Sequence, residues 1–243
     1  DIGVDGANYC AMEFRGDAIA AMNVEERMTI CNMAIEAGAK NGIIEPDRKT
    51  MEYVRARTNR KLRPVLGDRN AKVARTWKYD VSKFEPCVAE PSLPSNYAQA
   101  RKRSNVKLDR VYIGSCTGGK ITDFIMAARI LKGRRVKVDT FLVPATTEVA
   151  EGLITKSIGG KSLVEIFAEA GCLPIAPPSC GACLGGPDDT FGRTKGKEAV
   201  ISTTNRNFIG RMGSKDAPIY LASPLTAAAS AVTGRITDPR EFL

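Results

Sequence analysis

The sequence predicts an α/β protein with mainly parallel sheets, and three observations carry that expectation. From residue 110 onward, short β-branched or aromatic runs alternate with longer amphipathic stretches, the pattern of strand and helix in turn. The 243 residues are 43% apolar, enough for a real core. The segment Gly114-Ser-Cys-Thr-Gly-Gly119 falls where a strand ends and a helix is about to begin, the edge at which open α/β sheets bind ligands.

The elements follow in order. A helix is expected over 24–38, where Met28, Cys31 and Ile35 recur at helical spacing and Gly38 is a stop. Asn32 and Glu36 would share one face of it at i, i+4, an arrangement more often a surface pair than a catalytic one. A strand over 42–45 ends at Pro46-Asp47, and a helix is expected over 50–58. Residues 59–108 are rich in charge and proline, with only short strand-like pieces, and read as a linker or an arm packed across a surface. The domain boundary is placed near 78, giving domains 1–78 and 79–243. Beyond it come strands over 110–115, 136–143, 199–204 and 219–222, and helices over 121–132, 147–157, 162–170 and 224–233. No internal repeat or low-complexity tract interrupts them.

Composition narrows the chemistry. Histidine is absent, which removes the commonest general base and transition-metal ligand and leaves cysteines, carboxylates, arginines or another polypeptide. Seven irregularly spaced cysteines do not make a secreted disulfide framework, so an intracellular, reducing or thiol-metal setting is expected. No apolar stretch approaches ~18 residues, so no membrane-spanning helix is expected. The start, Asp-Ile-Gly-Val-Asp-Gly, has neither an initiator Met nor a basic n-region and reads as a chain whose amino-terminal context is missing. The net charge of +9 gathers in Arg101-Lys102-Arg103 and around 132–137. These runs read as solvated loops or helix ends rather than a nucleic-acid surface, because no aromatic interleaving accompanies them.

Three motifs stand out. Gly114 to Lys120 approaches a phosphate-binding loop, but Ile121 occupies the position where a magnesium-binding hydroxyl is needed. Cys180-Gly-Ala-Cys183 suits half a zinc site, a redox dithiol or two cluster ligands; no second cysteine pair completes a zinc knuckle, and the flanking small residues suit a loop approaching a bulky cofactor. With Cys116 these make three thiolates, the number that leaves one iron of a [4Fe-4S] cluster open to a substrate oxygen. Cys172 reads as a buried structural thiol. The loop Ser202-Thr-Thr-Asn-Arg-Asn-Phe-Ile-Gly-Arg211 carries two arginines suited to clamp a dicarboxylic acid.

Taken together, Met28 to Ala39, Tyr112 to Gly119, Phe141 to Ala145, Pro178 to Gly186, Ser202 to Gly213 and Tyr220 to Pro224 resemble the aconitase superfamily, and within it the large subunits of the isopropylmalate dehydratases, plant-type members especially. The resemblance runs from end to end. It implies aconitase-like three-layer α/β domains, the second in part and the third whole. It assigns Cys116, Cys180 and Cys183 to a [4Fe-4S] cluster, Asn205, Arg206 and Arg211 to substrate, and Asn32 and Glu36 to the active site, lifting that pair above its surface reading. The implied reaction is dehydration and rehydration of 2-isopropylmalate to 3-isopropylmalate in leucine biosynthesis. A homoaconitate or citramalate dehydratase shares the motifs, and a cluster-free structural or RNA-binding component is the non-enzymatic alternative. Large subunits of this type are about twice as long, and their serine base lies on a small subunit or swivelling domain. The chain is therefore expected to be a cluster- and substrate-binding portion, inactive without those parts, in a plastid stroma if plant-type and otherwise in the cytoplasm.

Overall fold

The computed structural model describes residues 1–243 and divides into two compact units, one formed essentially by Val4–Glu85 and the other by Pro86–Leu243. The sequence-based boundary near 78 lies in the stretch 56–80, which has neither helix nor strand.

In the smaller unit, β1 (Ala11–Glu13) pairs in parallel with β2 (Asn41–Ile43). Between them run α1 (Asp17–Ala21) and α2 (Val24–Met33), and α3 (Arg48–Arg55) follows. Asn23 starts α2 with a capping box: its Oδ1 accepts from Glu26 N at 2.9 Å, and Glu26 Oε2 accepts from Asn23 N at 2.8 Å. The single helix expected over 24–38 is two pieces, because α2 passes into a 3-10 turn, Ala34–Ala37, closed by left-handed Gly38. Its expected apolar side is not buried either. Met28 and Ile35 are exposed, whereas Arg27 is only 4% exposed. Its guanidinium donates to Ile19 O, Ala20 O, Thr50 Oγ1 and Asp47 Oδ2, the last at 2.6 Å, so burial leaves it satisfied. Asp47 also caps α3, accepting from Thr50 N at 3.0 Å, and the Arg27 guanidinium holds its carboxyl well below the usual range. The apolar core here is Ala7, Ala34, Ala37 and Ala39 with Ile2, Met12 and Phe14 against it.

The larger unit is built on a six-stranded mixed sheet. Its strands are β3 (Cys87–Ala89), β4 (Tyr97–Gln99), β5 (Arg110–Gly114), β6 (Asp139–Val143), β9 (Val200–Ser202) and β10 (Ile219–Ala222), in the order β4-β3-β10-β9-β5-β6. The run β10-β9-β5-β6 is parallel throughout, as expected for an α/β fold. The reading of 59–108 as a linker is corrected at its far end: β3 and β4 extend the sheet as antiparallel strands. Three residues each, they gave no periodicity to read.

Helices α5 (Ile121–Leu131), α6 (Thr147–Thr155), α7 (Leu163–Glu169) and α8 (Pro224–Thr233) share one continuous core with the sheet. A small hairpin of β7 (Ser157–Ile158) and β8 (Lys161–Ser162) joins α6 to α7. Alternation along the strands divides the sheet's faces. Val111, Ile113, Leu142 and Ile201 enter the helix-covered core, while Tyr112, Phe141, Val143, Ile219 and Leu221 form a second cluster with Ala182 and Met212. That second face is covered by loops. After α7 the chain runs beside β6, with Leu173 N donating to Thr140 O at 3.0 Å and Ala176 N to Leu142 O at 3.1 Å, and then crosses the face before entering β9. The chain leaves β5 toward β6 on one side and β9 toward β10 on the other, so the strand order reverses between β5 and β9, the switch point whose carboxyl ends bind ligands in open α/β sheets.

Candidate active site

Three loops converge on that carboxyl edge. The first leaves β5 at Gly114 and turns at once through Ser115, whose φ of 75° is left-handed, a conformation costing a non-glycine residue about 1–2 kcal/mol. The one-turn helix α4 (Ser115–Gly118) follows and carries Cys116, whose side chain is exposed. Thr203, just past β9, pins this turn from the neighbouring strand end. Its Oγ1 accepts from Gly114 N at 2.9 Å and lies 3.1 Å from both Gly114 O and Gly118 O, which share its single proton. The phosphate-loop reading finds no support in Lys120. Its ammonium is buried against Thr117 O and Asp123 Oδ2, the latter at 2.7 Å, and it points into the fold.

The second loop holds the cysteine pair. Gly181 N donates to Ser179 Oγ at 2.9 Å, Leu184 N to Cys180 O at 3.0 Å and Gly186 N to Gly181 O at 2.9 Å, so the loop winds on itself. A 3-10 turn, Ala182–Leu184, ends at Gly185 with φ +64°, where a Cβ would come within 3.2 Å of the backbone of 210–213. Cys180 is exposed and Cys183 is 6% exposed. Arg193 Nε donates to Gly186 O at 2.6 Å and fixes the tail of the loop.

The third loop, after β9, carries Asn205, Arg206 and Arg211. Asn205 is buried, and the arginines are half-buried. Asn207, between them, is the brace that sequence reasoning passed over. Its Nδ2 donates to Glu90 O at 2.8 Å and lies 3.3 Å from Ile219 O, tying the loop to β10 and to the turn after β3.

The three cysteines and Arg211 form one electrostatic group. Burial pushes the Cys183 thiol up, the Arg211 guanidinium opposes that both by its charge and by a hydrogen bond, and Cys116 and Cys180 reinforce the rise. Arg211 Nε is buried with no hydrogen-bond partner. No three cysteine or carboxylate side chains stand close enough to hold a single metal ion. Cys172 stays apart, packed against the helix-covered core with its thiol pushed up to about 12 by burial.

Asn32 and Glu36 belong to the smaller unit. Asn32 is the last residue but one of α2, half-buried, and Glu36 is 8% exposed in the 3-10 turn beyond it. The change of winding between them removes the i, i+4 alignment of an unbroken helix. The site described above comes wholly from the larger unit.

The family model described as the aconitase family (aconitate hydratase) matches residues 1–100 and 85–234. The 3-isopropylmalate dehydratase large subunit, chloroplastic, of Arabidopsis thaliana is 56% identical over 248 residues, covering 100% of this chain and 49% of that protein. The 3-isopropylmalate dehydratase large subunit 1 of Pyrococcus abyssi is 49% identical over 247 residues, covering 100% of this chain and 56% of its own length. The 3-isopropylmalate dehydratase large subunit of Heliobacterium modesticaldum is 48% identical, covering 99% of this chain and 56% of its own. The chain thus spans about half the length of the curated relatives it matches.

Proposed function

The chain belongs to the aconitase family, and on that footing we propose that it is the cluster- and substrate-binding portion of a 3-isopropylmalate dehydratase large subunit, acting in leucine biosynthesis with a small subunit. The observation that carries the reading is that the loops bearing Cys116, Cys180 with Cys183, and Arg211 meet, Gly185 lying against the backbone of 210–213 and Thr203 holding the turn of Cys116. The names of the relatives supply the substrate, and the chloroplastic relative favours a plastid.

The donor set fits a [4Fe-4S] cluster held by Cys116, Cys180 and Cys183. Each thiolate of such a cluster binds its own iron, so three ligands to it stand farther apart than three ligands to one ion. That accounts for thiols that influence one another's charge without closing on a single metal. Arg211, next to Cys183, offsets part of the negative charge of the thiolates. A bound cluster supplies a Lewis-acidic iron for the substrate hydroxyl.

The chain's own residues do the rest. Arg211 and Arg206, both half-buried, present guanidinium groups to the two carboxylates of the substrate, fixing it through charge-assisted hydrogen bonds. Asn205 orients the bound acid. Glu36 is assigned the hydrogen bond to the substrate hydroxyl or water, with Asn32 four residues before it. The chain contributes no histidine, so the remaining proton transfers fall to other segments or to the small subunit.

Anaerobic reconstitution with ferrous iron and sulfide tests the reading. The chain should take up about four irons and four sulfides, and Cys180→Ser or Cys183→Ser should lose most of that uptake while the far-ultraviolet spectrum is kept. A variant that retains the full cluster removes its cysteine from the ligand set.

A further inference from the structure

β9 runs out in three hydroxyl residues, Ser202, Thr203 and Thr204, which are 0%, 2% and 4% exposed and have no part in the chemistry proposed above. Out of reach of water, each must find its partners within the protein. They divide by those partners. Ser202 Oγ donates to Thr204 Oγ1 at 3.0 Å, and Thr204 Oγ1 donates to Arg206 O at 3.4 Å, which ties down the start of the arginine loop. Thr203 serves the turn of Cys116 instead. Its backbone N donates to Tyr112 O at 3.0 Å, continuing the pairing with β5, while its Oγ1 takes the Gly114 N–H and lies in reach of the Gly118 carbonyl. One hydroxyl thus touches both ends of the turn 114–118.

That turn needs holding. Ser115 stands at φ 75°, left-handed without being glycine, a conformation that persists only where the surroundings over-determine it. The contact with Thr203 is also close, since a Cβ on Gly118 would lie 2.4 Å from Thr203 Cβ and 2.6 Å from its Oγ1. Valine at 203 would keep the shape of the side chain and leave the buried Gly114 N–H without its acceptor.

We infer that Thr203 is a positioning residue for Cys116, its hydroxyl locking the strained turn that bears this thiol to the strand end from which the arginine loop starts. Cys116 and Arg206 are then set by neighbouring residues of one strand end. The consequence for a metal centre rests on the ligand assignment proposed above; the lock on the turn rests on the hydrogen bonds alone.

Thr203→Val and Thr203→Ser separate the hydroxyl from packing. In the metal-free chain, hydrogen exchange at 114–118 should be about tenfold faster in Thr203→Val and within about twofold of the wild type in Thr203→Ser, which keeps the hydroxyl. After anaerobic reconstitution with ferrous iron and sulfide, loss of iron to a ferrous chelator should also be about tenfold faster in Thr203→Val and near the wild-type rate in Thr203→Ser. Gly118→Ala, whose methyl pushes the turn off Thr203 from the other side, should behave as Thr203→Val does and takes its place if valine prevents folding. Wild-type exchange or wild-type chelation in a folded Thr203→Val chain overturns the inference. Equal defects in the valine and serine variants overturn it by assigning the effect to packing, and equal acceleration at the amides of β6 and α5 overturns it by showing a general loosening. A wild-type chain that takes up no iron and sulfide overturns the ligand assignment instead, and the exchange pattern then decides by itself whether Thr203 sets the place of Cys116.

Discussion

Between residues 86 and 243, 24 buried apolar side chains form one continuous core over a six-stranded sheet. Between 4 and 85 the buried apolar set is four alanines, and a buried arginine ties together α1, α2 and α3. Alanine burial frees little apolar area from water, so the smaller unit gains its order chiefly from polar contacts that compete with solvent. The difference matches the division of labour. The loops proposed to hold three thiols and two arginines hang from the sheet with the larger core, while Asn32 and Glu36, proposed to join them, sit in the unit with the smaller one.

The contrast can be broken most forcefully in the larger unit. Phe124 is fully buried and packs edge-on against Phe167 at 6.0 Å between ring centres. Phe124→Ala should cost about 3–5 kcal/mol in urea denaturation followed by circular dichroism; a loss below about 1 kcal/mol would mean that this core is not what holds the sheet. In the smaller unit, Arg27→Met strips the carbonyls of Ile19 and Ala20 and the Asp47 carboxylate of one common donor. The expected cost is about 2 kcal/mol, read by hydrogen exchange as faster exchange in α2 and α3 with β5 and β9 unchanged. Equal loss of protection in both units would show that they unfold as one.

Acid offers the gentlest discrimination. Asp47 has its folded pKa depressed by Arg27 first and by the Thr50 backbone next, so its contribution is present above the ordinary carboxylate value and fades as pH falls through the folded one. Protection in α2 and α3 should therefore begin to decline below about pH 4, ahead of the amides of β5 and β9. Acid exchange in the reverse order would contradict the part given to this carboxylate.

What the sequence made legible follows the reach of each interaction. The strands at 110–114, 139–143, 200–202 and 219–222 and the helices between them stand within a few residues of expectation, because their periodicities are local. The cysteine and arginine motifs are legible because each is a short run of distinctive residues, two of the three directly after a strand. Arg27 was not, since nothing in its neighbours marks an arginine whose acceptors lie up to 23 residues away. Thr203 and Asn207 lie inside a motif read as functional, yet their partners are 89 and 117 residues distant, so their bracing roles emerge only from the folded sheet. The packing of Tyr112 was not legible either, since Gly192, which lies against its ring, is far along the chain.

The crossing of the cysteine loop over the sheet also sets an order of events in the life of the chain. Its entry is stitched to β6 through Leu173 and Ala176, and its exit is stitched by Thr194, whose N donates to Met212 O at 2.8 Å. During synthesis, at roughly 5–20 residues per second, Cys116 emerges many seconds before Met212, and until that last stitch is made the loop has no fixed place to hold its sulfurs. A proposed cluster held by Cys116, Cys180 and Cys183 thus depends on a pairing made near the end of the chain, because the loop that carries two of the three sulfurs is closed only when Thr194 meets Met212.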